Sequence, residues 1–151
     1  MDRADLLDRY HLGYQAVAAA LAGLSDVELD RRPAGGGWTP REVAHHLPDS
    51  ETNSYVRLRR LVAEDQPQII GYDQDEWARR LHYGRPIAGS LAVLRAVRDA
   101  SLQLLMSLSA AEWAREGTHS DDGRYSVDQW LLNYATHPYD HADQIRAAIG
   151  R

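Results

Sequence analysis

Apolar residues return at intervals of three and four along most of this chain, and strict alternation is rare. That period puts one apolar stripe on each α-helix, so it selects packed helices over a strand ladder. Leu6, Tyr10, Tyr14, Val17 and Leu21 make the first stripe and predict a helix over residues 3–24. In "WTPREVAHHLPDSE", Thr39 can accept from the helix's free N–H groups, Glu42 can return the bond, and Pro40 occupies the first turn, where its missing N–H costs nothing. This second long helix is predicted to run to about Glu64. A third spans about Pro86 to Leu108, and a fourth runs from the Ser126 cap to about Ile149, with Gly150 at its end. Shorter helices are expected after Ser25, in "DQDEWARRL" and after Ser109. "DQPQIIGYDQ" and "EGTHSDDGRY" read as loops. Four long amphipathic helices in 151 residues predict a single all-α domain, a four-helix bundle with short accessory helices.

Composition narrows the function. The formal net charge is −5, there is no lysine, and the densest basic cluster is "RLRR" at 57–60. Nucleic-acid binding needs phosphate neutralisation and is not expected. Cysteine is absent, which removes disulfides, thiolate ligands and a cysteine nucleophile. The N-terminus is too charged for a signal peptide, and no apolar run approaches the ~18 residues of a membrane span. A soluble cytoplasmic protein is the expectation.

Chemistry concentrates in the histidines. His137 and His141 sit four apart in "YATHPYDHADQI" and therefore share a helix face. His141 falls within the inward stripe marked by Val127, Leu131, Tyr134, Ile145 and Ile149, and His137 lies at its edge. On the second long helix the inward sector holds Val43, Leu47, Ser50, Ser54, Leu58 and Leu61. His46 flanks that sector; His45 lies opposite it and is expected at the surface. A buried imidazole needs a hydrogen bond or a metal. An isolated H-x-x-x-H pair is short and common, and an inward histidine is most often a satisfied core residue. A third histidine on another helix puts a shared metal level with that core reading, and three neutral imidazoles suit zinc, nickel or iron(II). Pro138 complicates the pair, since it removes a helix hydrogen bond and disfavours helical geometry at His137. A local kink is expected there.

Two other constellations fail. A di-iron bundle needs two Glu-x-x-His motifs on separate helices; "EVAH" commits Glu42 to a cap, and "EGTH" falls in a glycine-bearing loop. No G-x-S-x-G supports a Ser-His-Asp triad.

The blocks "GGGWTPREVAHHLPDSETNSYVRLR", "EDQPQIIGYDQDEWA" and "YSVDQWLLNYATHPYDHADQI" resemble the DinB/YfiT-like metalloenzyme superfamily, over about Leu24 to Ile149. The YfiT-like branch is the closest match. The resemblance implies an up-down-down-up four-helix bundle, often a homodimer. It implies one divalent metal, nickel or zinc first and iron or manganese as alternatives, on positions that match His46, His137 and His141. It also implies a metal-dependent hydrolase acting through metal-activated water on a small-molecule substrate. Relatives transfer low-molecular-weight thiols, bacillithiol or mycothiol, so an S-transferase is the alternative, and a bundle that binds metal without a reaction is a third. A mycothiol-dependent isomerase branch commonly has glutamate where this chain has His137. Asn53, Arg57, Tyr72 and Asp73 are candidates for substrate contact or for hydrogen bonds to the ligands; Trp38 and Trp77 are expected in the core or pocket wall. Asp143 either orients a ligand or faces solvent.

Overall fold

A computed structural model describes residues 1–151. The long helices are α1 (Arg3–Leu21), α3 (Pro40–Ala63), α5 (Ala88–Ser107) and α7 (Val127–Ala148), and the short ones are α2 (Asp26–Leu29), α4 (Gln74–Arg80) and α6 (Ala110–Trp113). The caps act as their residue types dictate. Thr39 Oγ1 accepts from Glu42 N–H while the Glu42 carboxylate accepts from Thr39 N–H. Ser109 and Glu112 repeat that exchange, and Ser126 caps α7. Ser25 Oγ accepts from Glu28 N–H, with no return bond from the Glu28 side chain. No helix is long and apolar enough to cross a membrane.

The core divides into two apolar clusters. One gathers Tyr10, Leu58, Leu61, Leu105, Trp130 and Leu131, among others; the second gathers Val17, Val43, Leu47, Leu94, Ala142 and Ile145. Following the chain through the two clusters gives the direction of each helix. α1 and α7 run from the first cluster to the second, and α3 and α5 run back, which is the up-down-down-up order. α1 packs on α7 and α5, and α3 packs on the same two helices.

Between the clusters each long helix contributes to one polar or small-residue level: Gly13 on α1, Glu51 and Ser54 on α3, Arg98 and Ser101 on α5, and Pro138 on α7. Glu51 is 0% exposed and Arg98 is 3% exposed. Arg98 donates from Nη1 to Glu51 Oε1 at 2.5 Å and from Nη2 to the Tyr10 carbonyl at 2.6 Å. Both nitrogens reach the Tyr134 carbonyl at 3.3 Å. One guanidinium on α5 thus ties the other three long helices together. Its approach requires Gly13, because a Cβ there would sit 2.5 Å from Pro138 Cγ and 2.6 Å from Arg98 Nη2.

Three expectations are corrected. The absence of strands fails: β1 (Gln68–Ile69), β2 (Glu116–His119) and β3 (Gly123–Ser126) form a small sheet in the order β1-β2-β3, with β1 parallel to β2 and β2 antiparallel to β3. Both supposed loops contribute to it. The strands are two to four residues long, too short for any alternation to register. Gly117 lets the chain before β1 come close, since a Cβ there would collide with the Pro67 carbonyl oxygen. The sheet closes the bundle end where Ile69 and Tyr125 join Trp130 in the first cluster.

His45 is not at the surface; it is 0% exposed. The segment leading into α5 covers the outer face of α3. His45 Nε2–H donates to the Arg85 carbonyl at 2.8 Å, and Nδ1 accepts from Ser90 Oγ–H at 2.7 Å. Burial holds its pKa below the usual histidine value. The first helix also stops at Leu21 rather than residue 24. As for Pro138, α7 continues through it as helix without a restart, and α3 likewise continues through Pro48.

Gly13→Ala tests the close-packed polar level. Alanine favours a helix over glycine by ~1 kcal/mol, whereas overpacking a filled core costs ~1–3 kcal/mol. Packing should win, because the proline ring is rigid and the arginine is held at both ends. Urea unfolding should show a net loss of up to about 2 kcal/mol; a stabilised variant would contradict the arrangement.

Candidate metal centre

His46 comes from α3, and His137 and His141 from α7. The sequence places them there for simple reasons. His46 sits less than two turns after the Thr39 cap, on the flank that faces α7. His137 and His141 are one turn apart on the face of α7 that meets α3. One ligand atom from each of the three lies within 4.8 Å of the others. The ring centroids stand 4.6 Å apart for His137 and His141, 4.8 Å for His46 and His141, and 5.6 Å for His46 and His137.

The outward ring nitrogens are already assigned. His141 Nδ1 bonds Gln144 Oε1 at 2.8 Å, and His137 Nδ1 faces Glu51 Oε1 at 3.5 Å. A carboxylate and an amide oxygen only accept, so both Nδ1 atoms carry the proton. In the neutral rings both Nε2 atoms are then lone pairs, and they face one another at 3.1 Å. Two lone pairs at that distance repel unless a proton or a cation lies between them. Burial first, and the neighbouring imidazoles second, hold the His46 pKa down at about 2 and that of His141 at about 4. Burial works against a proton on His46 or His141, and a metal ion fits between lone pairs that converge in this way. His46 adds a buried Nδ1 without any hydrogen-bond partner. Neutral imidazoles with oriented far nitrogens are the donor set of zinc and similar ions.

Trp38, from the residue before the Thr39 cap, lies against His46 at a centroid distance of 4.4 Å and stacks on His141 at 6.5 Å. It is pocket wall, as expected. Trp38 and His141 open onto a cavity of about 290 Å³ that Gln74, Asp75 and Gln144 also line. A second groove, about 400 Å³, contains Asn53, Arg57 and Trp77.

The remaining candidates do not converge on the imidazoles. Asn53 Nδ2 donates to the Asp49 carbonyl of its own helix at 2.8 Å. Arg57 donates to Tyr134 Oη at 3.1 Å and to the Ile70 carbonyl at 3.0 Å, and the Tyr134 ring meets that of His137 edge-on at 5.8 Å. Tyr72 packs on Trp77 at 4.6 Å; its hydroxyl is buried without a partner, and burial raises its pKa to about 12. Asp73 is exposed and caps α4 by accepting from Glu76 N–H at 3.0 Å. Asp143 faces solvent and pairs with Arg146, while its neighbour Gln144 orients His141.

Three residues of the site carry signals that the period does contain. Leu91, Leu94, Arg98, Ser101 and Leu105 follow one helical stripe, so Arg98 is a lone charge on an inward face. Glu51 stands likewise between Leu47, Ser54 and Leu58. Gln144 lies three residues after His141, which is hydrogen-bonding distance on a helix.

Known proteins share this frame. A chain of Oceanobacillus iheyensis named "Putative metal-dependent hydrolase" is 36% identical over 85% of this chain and 74% of its own length. One of the same name from Halalkalibacterium halodurans is 30% identical over 88% and 78%. The structure of YfiT from Bacillus subtilis, described as "a probable metal-dependent hydrolase with an unusual four-helix bundle topology", superimposes with a TM-score of 0.90 at 26% identity, covering 99% of this chain and 90% of that one. The sequence pattern of the DinB superfamily matches residues 9–145, and with this fold the chain belongs to that superfamily.

Proposed function

We propose that this protein is a divalent-metal-dependent hydrolase whose ion is held by His46, His137 and His141. The observation that carries the reading is the meeting of two Nε2 lone pairs at 3.1 Å in rings whose other nitrogens are already committed. Three histidines are the ligand count of catalytic zinc sites, which keep a position for water or substrate, whereas structural sites are closed by four. When bound, such an ion supplies an activated water and a Lewis acid for a carbonyl or related group. The chain supplies the rest. Burial keeps His46 and His141 unprotonated and ready to coordinate. Glu51 and Gln144 fix which nitrogen each partner imidazole presents. Trp38 shields one side of the cluster, and the cavity beside His141 and Gln144 leads to it.

Nickel and zinc are the ions we favour. Asn53, Arg57, Tyr72 and Asp73 are kept as candidates for substrate contact or ligand support, with one Asp73 oxygen already accepting at the α4 cap. The same three imidazoles would also serve transfer of a low-molecular-weight thiol. Hydrolysis is preferred because the relatives carry that description.

Protein purified without a histidine tag is expected to hold about one divalent ion per chain by plasma mass spectrometry, following the three-ligand count. His46→Ala and His141→Ala should each lose it; full occupancy in both variants would end the reading. Chelation should lower the melting temperature of the native protein. An ion present at 1,000-fold over its dissociation constant stabilises by ~4 kcal/mol, which for a chain of this size is roughly 8–16 °C. Hydrolysis of an ester and amide panel should vanish with the metal and return when nickel or zinc is restored. Activity confined to thiol conjugation would select the transferase instead. Gln144→Leu should bind the ion about 10- to 100-fold more weakly while keeping the fold, because it frees the His141 ring to turn.

A further inference from the structure

Pro138 deprives α7 of one hydrogen bond. In an uninterrupted helix the N–H of residue 138 would donate to the carbonyl of Tyr134. That carbonyl lies inside the bundle and needs a donor from elsewhere. Arg98 provides it, with both Nη atoms at 3.3 Å. The same guanidinium donates to Glu51 Oε1, and that oxygen is the one facing His137 Nδ1. His137 is the residue immediately before Pro138.

These contacts close a circuit. It runs from the Tyr134 carbonyl to Arg98, to Glu51, to the His137 ring, and back along α7 to Tyr134. We infer that Arg98 is a positioning residue for the metal centre: it takes up the carbonyl that Pro138 leaves free, and by doing so holds Glu51 against His137. The inference rests on the three-histidine metal reading for its consequence. The Arg98–Pro138 coupling itself is a property of the chain without metal.

The side-chain type matters. A planar guanidinium can hold a carboxylate and two carbonyls in separate directions, whereas an ammonium is a point donor that cannot span them in the same way. Gly13 is part of the device, since any side chain there would meet both Arg98 and Pro138. An ion pair serving stability alone would leave the His137 ring unaffected by the loss of Arg98. It would also leave the effects of Arg98 and Pro138 additive.

The test uses the full chain freed of metal, with Arg98→Met, Arg98→Lys, Pro138→Ala and the pair Arg98→Met with Pro138→Ala. The apo wild type should show His137 as the Nδ1–H tautomer in imidazole ¹⁵N spectra. Arg98→Met should give mixed tautomers and weaken cobalt(II) binding, read by its visible absorption, about ten-fold or more. Pro138→Ala restores an N–H opposite Tyr134. The drop in melting temperature caused by Arg98→Met should therefore be smaller in the Pro138→Ala background, a non-additivity that only contact between the two would produce. Where Arg98→Met alone fails to fold, the double variant and Arg98→Lys carry the tautomer and cobalt(II) measurements. A folded variant lacking Arg98 that keeps the wild-type tautomer and a cobalt(II) affinity within about two-fold would overturn the positioning role, because disturbed ligand support costs more than that. Strict additivity of the two substitutions would overturn the carbonyl link. Failure of the wild type to bind cobalt(II) would count against the metal reading instead, and the apo unfolding cycle would still decide the coupling.

Discussion

A single buried guanidinium sits where the two halves of this bundle meet. Arg98 faces a carboxylate on α3 and backbone carbonyls on α1 and α7, with the Tyr10 ring 3.9 Å from its centre. A buried ion pair is a poor source of net stability, because desolvating both charges offsets most of their attraction. What it imposes is a requirement. Removing either partner leaves an uncompensated charge in the core, at a cost of ~3–5 kcal/mol. Four helices with apolar stripes can slide and rotate past one another with little penalty; four helices that must all present a partner to one guanidinium have one register.

The geometry of the histidine cluster depends on that register. His46 approaches from α3, and His137 and His141 from α7, so their separation is set by how those two helices align. Glu51 belongs to both features: it neutralises Arg98 and faces His137 Nδ1. The polar level and the histidine cluster are therefore one construction, with small residues and a proline where a uniform core would have leucines. Pro138, which looks destructive in a helix, is tolerated because its orphaned carbonyl becomes an acceptor for Arg98.

Much of this is legible in the sequence. The four long helices, their caps at Thr39, Ser109 and Ser126, and the inward side of His141 follow from period and local hydrogen-bond chemistry. The sequence brings His46, His137 and His141 forward as core residues or metal ligands on equal terms, and it is the resemblance to known metalloenzymes that implies the ligand set. The small sheet was not legible, since a two-residue strand such as Gln68–Ile69 has no periodicity to detect. His45 was misplaced because a helical wheel marks one inward side, whereas α3 is covered on its outer face as well by the segment that carries Arg85 and Ser90. Asp73 caps α4 through one carboxylate oxygen, a local role that its place before "QDEW" also allows.

The sequence by itself determined which segments are helices, where most of them begin, and that His46, His137 and His141 lie on or beside inward helix faces. Those are local properties, decided by side-chain period, capping groups and the donors each residue owns. The tertiary structure alone decided that Arg98 finds Glu51, Tyr10 and Tyr134, that the nitrogens of His137 and His141 turn toward each other, and that Pro138 keeps its helix. Each of these joins residues tens of positions apart. A lone inward charge declares that it needs a partner; only the packed bundle specifies which one.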